Sequence, residues 1–133
     1  MISIVIPTYN NLDDLKLCLK SLEKNSSFKH EIIIHVNNGS DGTLNFIKAN
    51  DYKHTISDDN IGLCSSINKA AKLVTNQYIL YSHDDMYFCP DWDKVLLNEI
   101  KNYDDDYFYL SGTMIEPYSG HCLLYTSDAA DED

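Results

Sequence analysis

Two adjacent carboxylates, Asp84 and Asp85, follow an apolar run that begins at Tyr78 and that we interpret as a buried strand. Side by side they repel each other, and a divalent cation or a row of hydrogen-bond donors would relieve that repulsion. Carboxylate oxygens suit Mg²⁺ or Mn²⁺, especially where phosphates complete the coordination shell. On this stretch alone a plainer interpretation is slightly favoured, in which the two acids end the strand and cap the next helix.

Composition limits what kind of protein this is. The 133 residues suffice for one domain with one core. The net charge of −11, from 10 basic and 21 acidic residues, argues against a nucleic-acid partner, and an anionic substrate would need a metal ion or backbone donors as counterweight. No apolar run is long enough to span a bilayer, and no basic segment precedes the first one, so neither a membrane span nor a signal peptide is expected.

The four cysteines form no close pair, so neither a zinc site nor a redox motif is indicated, and reduced thiols in a cytosolic setting are expected. They are Cys18, Cys64, Cys89 and Cys122.

Apolar runs alternate with segments of helical spacing along the chain. The runs predict strands at residues 2–6, 32–36, 54–57 and 78–82, the first of them stopped by Pro7. The spacing predicts a helix after each strand, the first capped by Asn11 and the last with Trp92 and Val95 on its inner face. A further strand is predicted at residues 107–115.

This alternation predicts an α/β fold with a mainly parallel sheet and helices on both faces. Every strand of such a sheet ends at the same edge, and open sheets bind ligands outside that edge. The sequence places polar residues at all four strand ends, at residues 8–10, 37–41, 57–60 and 82–85. A binding site at this edge is therefore expected. No Gly-x-Gly-x-x-Gly or Walker-type loop occurs, so an NAD site or a P-loop site is not supported.

Four segments, in order, resemble the motifs of family-two glycosyltransferases, which have the Rossmann-like GT-A fold of nucleotide-diphospho-sugar transferases. Ser3 to Asn10 is similar to their first strand, and Asn37 to Thr43 to their second motif. Asn60 to Ala71 is similar to their third motif, and Tyr78 to Asp85 to the strand that carries their metal-binding acids. The resemblance covers roughly residues 1–120, and the ordered set is specific where one motif alone would be weak.

The resemblance implies a metal-dependent, inverting transferase that moves a sugar from a nucleotide-diphosphate sugar, with a UDP-sugar as the first choice, to an unknown saccharide, lipid or protein. It implies Mn²⁺ or Mg²⁺ as cofactor, and action in the cytoplasm or peripherally at the inner face of the membrane. The residues expected near the donor nucleotide are Pro7, Thr8, Tyr9, Asn37, Asn38, Gly62 and Asp84, and those expected to hold the metal are Asp85 and Asp84.

The sequence departs from the family pattern at two positions. The family usually offers an acid to the base at about Asn38, where this chain has an amide; an amide still pairs with a base edge, because it both donates and accepts. The choice of base therefore stays open, with uracil or thymine first. The arginine that often precedes the asparagine of the third motif is absent, since Ile67 precedes Asn68.

The end of the chain differs from the rest. The family's general base is an aspartate further downstream, and no stretch of this sequence matches it. Residues 122–133 resemble translated sequencing-adapter read-through, so residues 1–121 are expected to form an incomplete donor-binding domain, followed by a non-native tail. A non-catalytic nucleotide-sugar binding module is the alternative function. A receiver-type signalling domain is disfavoured, because the first strand is followed by Pro7 rather than by paired acids.

Overall fold

The structure is a computed structural model that describes residues 1–112. Within them, four strands alternate with four helices, and all strand pairs are parallel in the order β3-β2-β1-β4. This confirms the predicted α/β class. The elements are β1 (Ile2–Tyr9), α1 (Leu12–Asn25), β2 (Glu31–Asn37), α2 (Thr43–Ala49), β3 (Lys53–Ser57), α3 (Leu63–Ala71), β4 (Tyr78–Tyr81) and α4 (Trp92–Ile100).

The elements lie in a compact unit, Met1–Asn102, and a second unit begins at Tyr103. The strand predicted at residues 107–115 is wrong for residues 107–112, which have no regular secondary structure, and residues 113–115 lie outside the described part. The predicted domain boundary at residue 121 lies outside it as well and stays a prediction. None of the helices within residues 1–112 combines the length and the apolar character that crossing a bilayer requires.

The sheet is covered on both faces, as predicted. On one face Ile4 and Ile6 of β1 pack with α1, α2 and α4. On the other, Val5 of β1 and Ile33 of β2 pack against Ala70 of α3. Successive side chains of a strand point to opposite faces, so the continuous apolar runs of β1 and β2 supply both cores at once.

Helix α1 presents its apolar stripe to the larger core through Leu15, Leu19 and Leu22. The predicted side-chain cap by Asn11 is wrong: its side chain makes no capping hydrogen bond. Its backbone carbonyl accepts from the N–H of Leu15, 3.0 Å away, and an exposed first turn has water for its remaining donors.

Pro7 does not stop β1, which continues to Tyr9 in register with β2. The carbonyl of Val5 accepts from the N–H of Ser82, so the backbone polar groups of Val5 face β4. The backbone of Pro7, two residues later along the strand, faces the same way. The paired part of β4 ends at Tyr81, opposite Val5. The N–H that proline lacks would therefore have had no strand partner, which is why proline is tolerated here.

Strand β4 and helix α4 are less buried than predicted. Strand β4 is the edge of the described sheet, and Ile79 is 53% exposed, so only one face of this strand is covered. In α4, Trp92 packs against the core as predicted, but Val95 is 68% exposed and was wrongly placed on the inner face. The side chain that α4 buries completely is Asp93.

Asp93 fastens the start of α4 to the connection between α1 and β2. Its carboxylate accepts from the backbone N–H groups of Ser27 and Phe28, both at 2.9 Å, and from Nε2 of His30 at 2.8 Å. The N–H of Lys94 adds a further hydrogen bond at 3.0 Å. Burial raises the pKa of Asp93, but the hydrogen bonds from these four residues outweigh burial and leave the pKa below its ordinary value.

Glu31 performs a similar joining role at the amino end of the sheet. Its carboxylate accepts from the Ser3 hydroxyl, from the N–H and hydroxyl of Thr75 at 2.9 and 3.0 Å, and from the Lys53 ammonium. Burial raises the pKa of Glu31, but these donors outweigh burial and lower the pKa to about 2. One side chain thus links three strands and the segment that follows α3.

Candidate functional site

A cleft of about 450 Å³ opens at the carboxyl ends of the strands. All four predicted polar strand ends contribute to it, and the start of α3 forms the remaining wall. Its volume lies within the range of small-molecule sites, roughly 300–1,000 Å³. The lining residues are Pro7, Thr8, Tyr9, Asn10, Asn11, Asn37, Asn60, Gly62, Leu63, Ser66, His83 and Asp84.

Thr8 and Asp84 join the ends of β1 and β4 at the cleft. The Thr8 hydroxyl donates to Oδ2 of Asp84 across 2.8 Å, and the threonine side chain is buried. The carboxylate is therefore held at the cleft through one oxygen, while the other oxygen has no hydrogen bond to the described protein residues. An oriented carboxylate of this kind can accept from a ribose hydroxyl or ligate a cation.

Asn37, at the end of β2, is buried and ties three walls of the cleft together. Its Nδ2 donates to the carbonyl of Thr8 at 3.2 Å and to Oγ of Ser66 at 3.0 Å. Its Oδ1 accepts from the N–H of Ile61 at 3.0 Å and lies 3.1 Å from the Ser57 hydroxyl. Every polar atom of this amide is engaged within the protein, so Asn37 has no free group with which to pair with a base.

Asn38 is exposed and lies outside the lining residues, although it follows Asn37 directly. Its Nδ2 donates to the carbonyl of Asp58 at 3.1 Å, and its Oδ1 accepts from the N–H of Ser40 at 3.0 Å. Its φ of 67° is left-handed, which asparagine tolerates better than most residues. Gly39 follows with φ 77°, and a Cβ there would lie 2.6 Å from a side-chain carbon of Val36, so this tight turn requires glycine.

The amino end of α3 borders the cleft through Gly62, Leu63 and Ser66. Gly62 has φ 86° and precedes the helix, and its N–H is held by Oδ1 of Asn60 at 3.0 Å. The first N–H groups of a helix have no partner inside the helix and carry partial positive charge, so they favour an anion in front of them. This is the side of the cleft best suited to phosphate.

The part of the cleft around Asp84 is negatively charged. Burial, followed by the carboxylate of Asp84, raises the pKa of the Cys18 thiol to about 11, and Asp85 adds to the effect. The pKa of Tyr81 is raised by burial and by the same two carboxylates. Among the described residues no lysine lines the cleft, and the sequence contains no arginine. A diphosphate would therefore meet uncompensated carboxylates unless a cation lay between them.

Asp85 is exposed and does not line the cleft, although it adjoins Asp84. Among residues 1–112, no three His, Cys, Asp or Glu side chains are grouped as a metal-ion site. The residues fit a cation only where phosphate oxygens complete its shell, which is the usual way in which Mg²⁺ is held in phosphoryl-binding sites. The oxygen of Asp84 that Thr8 does not contact agrees with that arrangement, since it has no hydrogen bond to the described residues.

His83, which follows the end of β4, lines the cleft. It is exposed, and its ring contacts Tyr81 edge-on with the centroids 5.1 Å apart. The Tyr81 hydroxyl lies 3.1 Å from Nδ1 of His83. These two rings form an aromatic rim beside Asp84.

The structure thus gathers most of the predicted site residues in one place. Six of them line the cleft, and Asn38 and Asp85 do not. The lining residues that the sequence did not assign to the site are Asn10, Asn11, Asn60, Leu63, Ser66 and His83. Each lies within a few residues of a strand end or of the start of α3, so proximity to the strand ends was the signal that could have found them.

The family model described as glycosyl transferase family 2 matches residues 3–126. The chain belongs to glycosyl transferase family 2. The match covers all four motifs and the cleft that they form. No curated protein matches the chain significantly.

Solved structures with the same architecture are GT-A glycosyltransferases. S. aureus TarS 1-349 in complex with UDP has a TM-score of 0.68 and 23% identity, over 76% of this chain and 32% of that one. The mannosyltransferase PcManGT from Pyrobaculum calidifontis, in complex with GDP-Man and Mn²⁺, has a TM-score of 0.62 and 19% identity, over 78% and 32%. At these identities the likeness establishes the GT-A fold alone. The chain spans about a third of the length of these proteins.

Proposed function

We propose that this chain binds a nucleotide-diphosphate sugar in the cleft at its strand ends and is the donor-binding part of a metal-dependent, inverting glycosyltransferase. The observation that carries the proposal is the cleft itself: a carboxylate held by Thr8 and the amino end of α3 line the same cleft, at the ends of four parallel strands. Membership of glycosyl transferase family 2 supports sugar transfer as the reaction.

In this proposal each wall of the cleft binds a different part of the donor. Tyr9 is 53% exposed at the rim and offers a ring face against which a base can stack. Pro7 and Thr8 lie along the nucleoside, and the free oxygen of Asp84 accepts from the ribose or ligates the metal. Gly62 lets the diphosphate approach the first turn of α3 closely, because a glycine carries no Cβ.

Two features adjust the predicted contacts. Asn37 acts by positioning the walls of the cleft rather than by pairing with the base, since its amide is engaged within the protein. Asn38 keeps the role of base partner in the proposal, from its exposed position beside the cleft. Uracil remains the first choice of base; TarS has been solved with UDP, whereas PcManGT has been solved with GDP-Man.

Asp84 and Asp85 would hold a divalent cation, Mn²⁺ or Mg²⁺, together with the phosphates of the donor. When bound, such an ion neutralises charge on the diphosphate leaving group. The negative field around Cys18 and Tyr81 and the absence of lysine from the cleft lining support this requirement. PcManGT, whose fold this chain shares, was solved with Mn²⁺.

Within residues 1–112, Asp84 is the only carboxylate that lines the cleft. If it is occupied with the donor or the metal, it cannot also take the proton of the attacking hydroxyl. We therefore propose that the general base of an inverting reaction comes from outside residues 1–112. Without that base the chain would act as a nucleotide-sugar binding module, which is the alternative function.

Calorimetric titration of the full chain with UDP, TDP and GDP, with and without Mn²⁺, tests the proposal. We expect UDP to bind and Mn²⁺ to strengthen its binding. Asp85→Asn should abolish the Mn²⁺-dependent part, and Thr8→Val should weaken binding about tenfold, because it releases the Asp84 carboxylate. Asp14→Asn, an exposed acid in the first turn of α1, is the matched control. If no nucleotide binds in any metal condition, the donor-site proposal fails.

A test with radiolabelled UDP-sugars separates the enzyme from the binding module. Binding with release of the free sugar or transfer to an acceptor supports the enzyme. Binding without any turnover, over a panel of acceptors, supports the module.

A further inference from the structure

His35 is fully buried on the face of β2 that α3 covers, and it lines no part of the cleft. Both ring nitrogens have a hydroxyl partner: Nδ1 lies 2.7 Å from Oγ1 of Thr55, and Nε2 lies 3.1 Å from Oγ of Ser57. Burial lowers the pKa of His35, the charge of Lys69 lowers it further, and Asn37 opposes them only in part. The ring is therefore neutral near neutral pH, with one donor and one acceptor nitrogen.

The surroundings of Ser57 decide which nitrogen carries the proton. Its Oγ lies 2.7 Å from the carbonyl oxygen of Asp59 and 3.1 Å from Oδ1 of Asn37. Both of these oxygens only accept, and both lie within hydrogen-bond distance of Oγ, so the single Ser57 proton is directed at this pair and shared between them. Ser57 then has no proton left for His35. It follows that Nε2 of His35 donates to Ser57, and that Nδ1 accepts from Thr55.

The same hydroxyl connects this buried ring with the cleft. Beyond Ser57 lies Asn37, whose amide holds the end of β1 through the Thr8 carbonyl and holds α3 through Ser66. Its Oδ1 also accepts from the N–H of Ile61, in the segment that leads into α3. The hydrogen bond from Ser57 to Asn37 thus affects the position of three walls of the cleft.

We propose that His35 is a positioning residue, which orients Asn37 through the Ser57 hydroxyl and thereby holds the walls of the cleft in their binding arrangement. This inference deepens the proposed function and rests on it only for the nucleotide-binding test. The structural tests below need no ligand.

The first test is native-state hydrogen exchange at the amide of Ile61 in the full chain. Ser57→Ala and His35→Leu should each speed this exchange about tenfold relative to the amide of Leu22 in α1, because the acceptor Asn37 loses its orientation. His35→Gln should restore slow exchange, since its amide nitrogen can donate to Ser57 in place of Nε2. Thr55→Val is the matched control: it removes the half-buried hydroxyl that contacts the other ring nitrogen, and it should leave the exchange at Ile61 unchanged.

Nitrogen NMR of the ring gives a direct reading of the tautomer. We expect the proton on Nε2 and a bare Nδ1. A proton on Nδ1 would overturn the proposal, and so would unchanged exchange at Ile61 in both Ser57→Ala and His35→Leu. Faster exchange in Thr55→Val, equal to that in Ser57→Ala, would also overturn it, because it would show a general loosening of the sheet.

The second test is a double-mutant cycle on the affinity for UDP. His35→Leu and Ser57→Ala should each weaken binding several-fold, and the double variant should be no weaker than the weaker single variant, since both act on one connection. Additive losses would show that His35 does not act through Ser57. If the unmodified chain binds no nucleotide, the proposed function fails, and the exchange and NMR measurements still decide the role of His35.

Discussion

Replacing Asp93 by asparagine is expected to lower the free energy of unfolding by about 3 kcal/mol. The carboxylate is fully buried and accepts hydrogen bonds from Ser27, Phe28, His30 and Lys94. Asparagine keeps the volume but turns one accepting oxygen into an NH₂ group that faces N–H donors. Hydrogen bonds to charged groups are worth about 1.5–3 kcal/mol each, and at least one is lost while the rest weaken. The change is a large fraction of a total of about 5–15 kcal/mol.

The partner His30 cannot adapt to relieve this loss. Its Nδ1 accepts from the N–H of Ile2 at 3.2 Å, so its proton stays on Nε2, directed at residue 93. The imidazole is almost completely buried, so water does not readily replace the missing acceptor. When the new amide places its NH₂ group towards His30, the Nε2–H of His30 therefore remains as an unpaired buried donor.

Urea unfolding followed by far-UV circular dichroism measures the effect near neutral pH. Asp91→Asn is the matched control, because Asp91 is exposed and accepts one side-chain hydrogen bond, from the Ser27 hydroxyl at 2.8 Å. It should cost less than about 1 kcal/mol. The reasoning is refuted if Asp93→Asn lies within about 0.5 kcal/mol of the unmodified protein, or if both variants lose the same amount.

Acid provides a second check on Asp93. Its pKa in the folded chain lies below its ordinary value of 3.8, so the unfolded chain binds the proton first as the pH falls. The stabilisation is complete above about pH 4 and is lost as the pH falls through the folded value. The difference between the unmodified protein and Asp93→Asn should therefore narrow below pH 3.8.

Three further predictions concern the joining carboxylate, the glycines and the thiols. Glu31→Gln should cost about 2 kcal/mol near neutral pH; in urea titrations at falling pH, only the unmodified protein should lose this stability between the ordinary pKa of 4.5 and the folded value of about 2. Gly39→Ala should lower the unfolding free energy by about 3 kcal/mol, since its Cβ would collide with the end of β2. Gly62→Ala should lower it by about 1 kcal/mol, since open space surrounds the new Cβ and only the positive φ opposes the change. Thermal denaturation ranks the two variants. A thiol reagent should modify the exposed Cys64 in the native protein and the buried Cys18, with its pKa of about 11, only on unfolding.

Each of these has an outcome that contradicts it. An unchanged acid slope in Glu31→Gln would show that other carboxylates cause the loss. Equal damage from the two alanine substitutions would show that left-handed strain, and not the collision at Gly39, sets the cost. Equal rates of modification at Cys18 and Cys64 would mean that the core around α1 opens readily.

Much of the fold could be predicted because β1 and β2 carry their information locally. Continuous β-branched runs indicate strands buried on both faces, and helical spacing between them requires parallel crossovers. The predictions for Pro7 and Val95 were wrong because a neighbouring element of the fold decides the structure at these positions. Pro7 continues β1 because β4 has already ended beside it, and Val95 is exposed because α4 packs through Trp92 and buries Asp93 instead.

The sequence by itself determined the edge at which the site lies, because the polar ends of parallel strands must meet there, and the ordered motifs determined the family. It could not determine which polar side chains face the cleft. Asn37 and Asn38 are chemically identical neighbours, yet one is buried and fully bonded while the other is exposed. Only the tertiary structure separated them, because burial and hydrogen bonding depend on partners such as Ser57 and Ser66, which lie about 20 and 29 residues away along the chain.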